Sequence, residues 1–394
     1  MKIVIAPQGF KGNLTALQVA QAIDRGIARV MPSAMTTIKP MADGGEGTVQ
    51  ALVDATGGEM MLTEVTDPLG GRVMAHWGVL GDKVTAVIEM AAASGLILVP
   101  PARRNPLVTT TYGTGELILA ALDRGCRKLI IGVGGSATND GGAGMAQALG
   151  VQLLDFSGAT LPWGGGALVQ LEHINVTTLD PRLADCEVLL ACDVTNPLCG
   201  AEGASAIYGP QKGATPEIVV HLDAALAHYA DVIQSELGLK VKDIPGAGAA
   251  GGLGAGIIAF LGAEVMPGID IVIQTTGLVE HLKDADLVFT GEGRIDRQTA
   301  FGKVATGVAR RAKEFSLPVI AITGEIADDY RVVYQHGIDA VLSIAPGPIS
   351  VEQSMAEAER LIADAAECAM RLFLSGIRGR FSNRFEFNRK EKND

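Results

Sequence analysis

The chain has 394 residues, a length that suits two or three domains better than one. Hydrophobic residues make up 48% and charged residues 19%, a composition that can bury a sizeable core and excludes wholesale disorder. The net charge of −12 and the aromatic content of 4% disfavour two functions: binding to nucleic-acid backbones, and base stacking on single strands.

The cysteines and the first residues indicate where the protein works. The five cysteines are widely spaced without a CxxC pair, which disfavours a disulfide scaffold and a structural zinc site and fits a reducing compartment. Residues 2–6 read as a strand rather than as part of a signal peptide, so we expect a cytoplasmic protein. Residues 244–263 carry no charge, but their seven glycines and one proline favour a glycine-rich loop and a buried helix over a membrane span.

Strand-like and helical patterns alternate at both ends of the chain, which predicts an α/β fold. Short apolar runs of the parallel-strand type occur at residues 2–6, 36–41, 286–290, 318–323 and 340–345. Helical spacing covers residues 15–30, with Thr15 as N-cap, and also 47–55 and 304–315. We therefore predict one doubly wound, parallel-sheet domain formed by residues 1–58 and 285–375.

The middle of the chain predicts a second α/β domain, inserted over residues 59–284. Turn signals at 67–71 and 81–82 flank two runs, 72–79 and 85–90, that are typical of an antiparallel hairpin. Further strands are predicted at 128–131, 151–154 and 187–192, and helices at 115–122 and 218–236. Residues 376–394 have little apolar periodicity, and we expect a flexible tail there.

A glycine-rich segment follows the strand at 128–131. Residues 132–137 match GxGxxA, and Asp155 ends the next strand, an arrangement that resembles a dinucleotide-binding fingerprint. The alternative is an anion site in which backbone N–H groups meet a helix start. In that interpretation binding comes from Gly134, Gly135, Ser136, Thr138 and Asn139, and Asp140 becomes a candidate metal ligand. A tight turn with a purely structural cap remains a third interpretation.

Acidic and basic side chains cluster with glycines at three further strand ends. The candidates for binding substrate or ATP are Asp43 and Glu46; Asp193 and Asn196; and Gly291, Glu292, Arg294, Asp296 and Lys303, with Lys212 on another loop. Such clusters suit a site that holds a polyanion and Mg²⁺. A second glycine-rich run at 246–256 fits either a flexible phosphate loop or close helix packing.

These motifs together resemble the bacterial glycerate kinase family over about residues 1–375. The resemblance is carried by residues 42–48, 88–96, 106–116, 134–144, 191–197, 209–213, 245–252 and 290–296. It implies a flavodoxin-like domain interrupted by an inserted α/β domain. It also implies transfer of the ATP γ-phosphoryl group to D-glycerate with Mg²⁺, favouring the 2-hydroxyl, in glyoxylate and galactarate catabolism. No nucleic-acid or membrane partner is expected, and a homodimer stays open.

The resemblance leaves the individual roles open. We take Asp193 as the first candidate for the base and Asp296 as the second, and we list Asp140 and Asp193 as metal ligands. Lys11, Arg294 and Lys303 are the candidates for contacting carboxylate and phosphate.

One departure from the family pattern affects the predicted activity. The family carries Asp-Ser after the first strand, whereas this chain has Gln8 and Gly9. This departure leaves open a catalytically impaired glycerate- or nucleotide-binding homologue. A separate rival function, based on residues 132–137 and Asp155, is that of an NAD-dependent oxidoreductase.

Overall fold

The computed structural model describes residues 1–300 and 302–390, with side chains up to residue 376. Its strands are β1 (Lys2–Ile5), β2 (Met35–Ile38), β3 (Glu59–Thr66), β4 (Arg72–Val79), β5 (Thr85–Glu89), β6 (Lys128–Gly132), β7 (Gln152–Leu154), β8 (His173–Asn175), β9 (Glu187–Ala191), β10 (Glu264–Met266), β11 (Leu287–Ile295), β12 (Val319–Ile326) and β13 (Ala340–Ser343). Its helices are α1 (Ala16–Val30), α2 (Thr48–Thr56), α3 (Ala91–Ser94), α4 (Tyr112–Asp123), α5 (Ala143–Ala148), α6 (Ala204–Tyr208), α7 (Pro216–Leu237), α8 (Ala249–Leu261), α9 (Gly268–Thr276), α10 (Leu278–Leu282), α11 (Val304–Lys313), α12 (Val351–Ala356) and α13 (Ala358–Lys390).

The chain divides into two compact units, one made of Met1–Met41 with Ile273–Asp394 and the other of Ala42–Val272. The sequence placed these borders at 58/59 and 284/285. The first border moves because α2 packs on β4 of the second unit, where Gly78 leaves room for Val49 and Val53. A Cβ at Gly78 would lie 2.5 Å from Cγ2 of Val53, so helix and sheet are in direct contact there.

The first unit is built on a five-stranded sheet in the order β13-β12-β11-β1-β2. All its neighbouring strands run parallel. Numbered along the unit, this order is 2-1-3-4-5, the flavodoxin-like arrangement. The predicted fold class is therefore confirmed, including the second α/β unit inserted between the two segments.

Helix α1 shows how local sequence signals fix an element of this unit. Thr15 accepts a hydrogen bond from the backbone N–H of Gln18, and the Gln18 side chain accepts one from the N–H of Thr15. This reciprocal capping box starts the helix at the predicted N-cap. Its buried face, which includes Ile23 and Ile27, joins a core with the sheet and with α13.

The second unit contains a six-stranded sheet in the order β10-β9-β6-β5-β4-β3. Strands β10, β9, β6 and β5 are mutually parallel, whereas β4 pairs antiparallel with both β5 and β3. The antiparallel hairpin predicted around residues 67–90 is thus present. The turn at 67–71 joins β4 to β3, a strand that the sequence analysis missed.

The glycine-rich run at 246–256 leads into a buried helix. Ala250, Gly251 and Gly252 have positive φ angles and bend the start of α8, which the sequence analysis had assigned in part to a loop. Among residues 1–300 and 302–390, no helix is both long and apolar enough to cross a membrane.

The backbone of α13 continues to Lys390. The side chains beyond residue 376 and residues 391–394 lie outside the described part of the chain. The flexible tail predicted for 376–394 therefore stays a prediction.

A first prediction concerns the contact between α1 and α13. A Cβ added at Gly26 would lie 2.2 Å from the carbonyl oxygen of Ala363, so the two helices would have to separate. We expect Gly26→Ala to lower the free energy of unfolding by about 1–3 kcal/mol in urea denaturation. Gly376→Ala is the matched control, because a Cβ there meets no atom within 4 Å and alanine favours helix. Equal effects of the two substitutions would contradict the close contact.

Candidate functional site

The candidate site of the second unit lies at one edge of its sheet. The parallel strands β5, β6, β9 and β10 end at Glu89, Gly132, Ala191 and Met266. Because the strands are parallel, these four ends face the same side, which is where open α/β sheets bind their ligands.

The segment from Asp43 to Gly47 packs against these strand ends through backbone contacts that only glycine allows. A Cβ at Gly132 would lie 2.4 Å from the carbonyl oxygen of Gly44, and one at Gly268 would lie 2.1 Å from that of Asp43. Gly44 itself has a φ of 86° and would bring its Cβ to 3.0 Å from that of Ala191. These glycines let the acidic segment lie directly on the ends of the sheet.

Asp193 follows β9 at this edge. Its Oδ1 accepts a hydrogen bond of 2.9 Å from the backbone N–H of Gly268. Burial raises the pKa of this carboxyl to about 6, and the nearby charges of Asp43 and Asp270 add to the effect. A carboxylate whose pKa lies near neutrality is suited to accept a proton from a hydroxyl group.

The loop after β6 is held from inside by Lys212. Its Nζ donates to Oγ of Ser136 at 2.7 Å and to the carbonyl oxygen of Thr138 at 2.6 Å. The side chain is 1% exposed, and burial lowers its pKa to about 7, against the opposing charge of Asp140. The amine of Lys212 thus faces the interior and supports the loop, and the predicted contact with ATP stays a prediction.

Asp140 is also turned inward. Its Oδ2 accepts hydrogen bonds from the N–H and Oγ1 of Thr111, both at 2.8 Å, and from the N–H of Gly144. Its Oδ1 accepts from the N–H of Gly142. The side chain is fully buried, and burial raises its pKa. The oxygens of Asp140 stabilise the turn before α5, an arrangement that disfavours its predicted role as a metal ligand.

Asn139 and Asn196, two further predicted ligand contacts, hold neighbouring loops. The amide of Asn139 donates to Oγ of Ser205, and the residue is buried. The amide of Asn196 donates to the carbonyl oxygen of Glu202, and its Oδ1 accepts from the hydroxyl of Tyr208.

The dinucleotide interpretation of residues 132–137 fails on topology. In a dinucleotide-binding unit the strand after the glycine loop joins the same sheet. Here β7 pairs with β8 in a separate two-stranded sheet. Asp155 accepts hydrogen bonds from Ser157 and Ala159 and so stabilises a surface turn. The structure therefore offers no basis for the NAD-dependent alternative.

In the first unit, the predicted cluster at residues 290–296 belongs largely to a strand. Gly291, Glu292 and Arg294 lie within β11, which continues to Ile295 because it pairs with β12 along its full length. The prediction that β11 ends at residue 290 is therefore wrong. Arg294 is exposed and pairs with Asp296 at 3.6 Å and with Glu325 at 3.3 Å.

The other predicted residues of this unit lie near the ends of its strands. Asp296 accepts hydrogen bonds from the N–H groups of Gln298 and Thr299 and so caps a turn. Lys303 is the N-cap residue of α11, and Lys11 is exposed in the loop after β1. Gln8 is buried, and its N–H donates to the carbonyl oxygen of Gly291 at 2.8 Å.

The sequence-predicted residues are thus divided between the two units. The first unit carries Lys11, Gly291, Glu292, Arg294, Asp296 and Lys303, and the second carries Asp43, Glu46, Gly134, Gly135, Ser136, Thr138, Asn139, Asp140, Asp193, Asn196 and Lys212. Within the second unit the structure brings Asp43 close to Asp193, with Asp270 as a third acid that the sequence analysis missed.

Glu89 is another residue that sequence reasoning missed. It ends β5, and its Oε1 accepts a 2.9 Å hydrogen bond from the N–H of Val49 in the first turn of α2. The available signal was an acidic residue at the end of the otherwise apolar run 85–90, within the segment 88–96 that carries part of the family resemblance.

A flavodoxin-like unit and a second α/β unit, both with glycines, acids and bases near strand ends, are the arrangement typical of an α/β enzyme. A family model described as the glycerate kinase family matches residues 3–374. The chain belongs to this family and is a kinase enzyme.

Several relatives and one solved structure agree with this membership. The chain is 58% identical over 344 residues to a glycerate 2-kinase of Escherichia coli, covering 87% of this chain and 90% of the relative. It is 54% identical over 364 residues to a glycerate kinase of Halalkalibacterium halodurans, covering 92% and 96%. A crystal structure from Salmonella typhimurium LT2, of a candidate glycerate kinase 2, matches with a TM-score of 0.88 and 51% identity, covering 95% and 99%.

A second prediction follows from the buried amine of Lys212. Because folding lowers its pKa from 10.5 to about 7, the unfolded chain binds more protons between these pH values. The free energy of unfolding of the wild type should therefore rise with pH across this window, relative to Lys212→Met. Urea denaturation at pH 7 and pH 9.5 measures the difference. The exposed Lys240→Met is the control, and the same pH dependence in both variants would contradict the burial argument.

Proposed function

We propose that this kinase transfers the γ-phosphoryl group of ATP to the 2-hydroxyl of D-glycerate, giving 2-phosphoglycerate. The regiochemistry is supported by the name of the Escherichia coli relative, glycerate 2-kinase. The observation that carries the chemistry is Asp193, whose carboxyl group follows a strand end and has its pKa raised to about 6.

Asp193 acts as the base. The hydrogen bond from Gly268 fixes one carboxylate oxygen. The other accepts the hydroxyl proton as the hydroxyl oxygen bonds to the γ-phosphorus, the bond from that phosphorus to the bridging oxygen breaks, and ADP leaves. Phosphoryl transfer needs positioning and charge stabilisation more than covalent help from the protein. Asp296, the second candidate for the base, is less suitable because its carboxylate already accepts two backbone N–H groups.

The predicted contacts to anionic groups are kept for each unit by itself. In the second unit, the backbone of Gly134 and Gly135 and the hydroxyl of Ser136 are the donors for phosphate oxygens. In the first unit, Lys11, Arg294 and Lys303 remain the candidates for contacting carboxylate and phosphate. Asp43 and Glu46 remain candidates for contacts to substrate or ATP.

Magnesium fits the acidic edge of the second unit and not the site around Asp140. Mg²⁺ binds through one or two carboxylates together with substrate phosphates, where it neutralises charge on the phosphates. The oxygens of Asp140 are all engaged by N–H and O–H donors. With Asp193 assigned as the base, Asp43 is the neighbouring carboxylate that would hold the ion.

We keep three broader expectations as part of the proposal: a cytoplasmic location, a place in the catabolism of glyoxylate or galactarate, and compatibility with a homodimer. They rest on the sequence and on the family resemblance.

The reaction itself is the first test. The purified protein is incubated with ATP, Mg²⁺ and D-glycerate, and phosphorus NMR distinguishes 2-phosphoglycerate from 3-phosphoglycerate. The proposal requires the 2-phosphate. Formation of the 3-phosphate would overturn the regiochemistry, and ATP binding without any product would favour the impaired homologue.

A third prediction tests the base. Asp193→Asn keeps the size of the side chain and its hydrogen bond from Gly268 but cannot accept a proton, so kcat should fall by roughly 10²–10⁴ with little change in KM. The control is Asp155→Asn, an exposed carboxylate of the same unit that stabilises only a surface turn. A kcat within threefold of the wild type would remove Asp193 from this role.

A fourth prediction concerns Gln8 and Gly9, where the family carries Asp and Ser. We expect Gln8→Asp to raise kcat/KM for glycerate, because a carboxylate takes a proton or binds Mg²⁺ better than an amide.

Steady-state kinetics at saturating Mg²⁺ checks this gain. A fully active parent and a slower Gln8→Asp variant would show that the carboxylate is not needed. Gly9→Ser should lower the melting temperature, because its Cβ would lie 2.9 Å from the carbonyl oxygen of Leu14. We expect this strain to offset part of the gain in activity when Gly9→Ser is combined with Gln8→Asp.

A further inference from the structure

Helix α2 begins directly after the acidic segment from Asp43 to Gly47, and it lacks a local cap. Its N-cap residue is Gly47, in the left-handed conformation, which has no side chain to accept a hydrogen bond. The first N–H groups of a helix need acceptors, and their combined partial charge attracts anions.

Glu89 supplies the missing acceptor from a distant part of the chain. Its Oε1 accepts the N–H of Val49 at 2.9 Å. The N–H of Thr48 donates to the carbonyl oxygen of Gly45 at 3.2 Å and, like that of Gly47, lies close enough to the Glu89 carboxylate to favour its charged form. Burial raises the pKa of this carboxyl, while the three N–H groups oppose that shift. The helix start is therefore occupied by a carboxylate of the protein and is not open to a phosphate.

The hydrogen bond between Glu89 and Val49 connects the end of β5 to the start of α2, which follows the segment that carries Asp43. That segment already lies on the ends of β6 and β9 through Gly44. Its other end continues into α2, and Glu89 holds the first turn of that helix through the N–H of Val49. The charge of Asp43 acts on Asp193, so any displacement of the segment changes the surroundings of the proposed base.

We propose that Glu89 is a positioning residue of the kinase reaction, which holds the Asp43–Gly47 segment in place by binding the N-terminus of α2. It touches neither substrate in this role. The proposal rests on the proposed function, since it assigns to Asp43 and Asp193 a part in the reaction.

The test compares two carboxylates at opposite ends of the same strand. Asp82 lies before β5 and accepts the N–H groups of Val84 and Thr85, so it is a structural counterpart of Glu89 that is remote from the carboxyl edge. Glu89→Gln, Glu89→Ala and Asp82→Asn are made in the full chain. Melting temperature, kcat and KM for D-glycerate and ATP are measured for each, per folded molecule.

We expect kcat to fall about 10- to 100-fold in Glu89→Ala, because small displacements of reacting groups have effects of this size. Glu89→Gln keeps one acceptor oxygen at the right distance and should recover a large part of that loss. Asp82→Asn should lower the melting temperature without changing kcat. The proposal is overturned if Glu89→Ala leaves kcat unchanged and lowers the melting temperature as Asp82→Asn does. Glu89 would then only cap the helix.

Hydrogen exchange separates this inference from the proposed function. Amides of residues 43–49 should exchange faster in Glu89→Ala than in the wild type, whatever the substrate. If the wild type does not phosphorylate D-glycerate, the proposed function fails, and the exchange measurement still decides whether Glu89 holds the segment. Unchanged exchange at these amides would overturn the positioning role even in a fully active enzyme.

Discussion

The second unit depends on the close approach of backbone to backbone at the carboxyl edge of its sheet. Gly44, Gly132 and Gly268 each lie where a Cβ would come within about 3 Å of another residue. Because no side chains separate these segments, an acidic loop can lie directly on the strand ends and its charges act on one another. Burial in that packing raises the pKa of Asp193, and the charges of Asp43 and Asp270 add to the rise.

The loop after β6 is supported in a different way, by hydrogen bonds of the buried side chains of Lys212 and Asp140. Lys212 and Asp140 lie in the interior and satisfy backbone groups of the turns between β6 and α5. Buried charges are costly unless they are hydrogen-bonded, so each also makes its turn sensitive to substitution. The exposed backbone of Gly134 and Gly135 therefore has its geometry set from within the unit.

The sequence predictions are correct where the residues that determine a feature lie close together in the chain. Thr15 and Gln18 start α1 through residues only three apart, and the predicted N-cap is correct. Asp193 was correctly placed after an apolar strand, since strand ends follow from hydrophobic runs. Glu292 and Arg294 were placed in a loop because their glycines resemble turn signals, whereas pairing with β12 extends the strand through them. The burial of Lys212 arises from contacts some 75 residues away, which no local pattern records.

The discontinuous first unit has a consequence for how the chain is made. Residues 1–41 contain β1 and α1, yet β1 pairs with β11 and α1 packs on α13. A ribosome adding about 5–20 residues per second needs roughly 10–50 s to synthesise the intervening unit. During that time the apolar face of α1 lacks its partner, while the contiguous second unit can already fold. The amino-terminal segment must therefore stay unaggregated until the end of translation supplies the rest of its sheet.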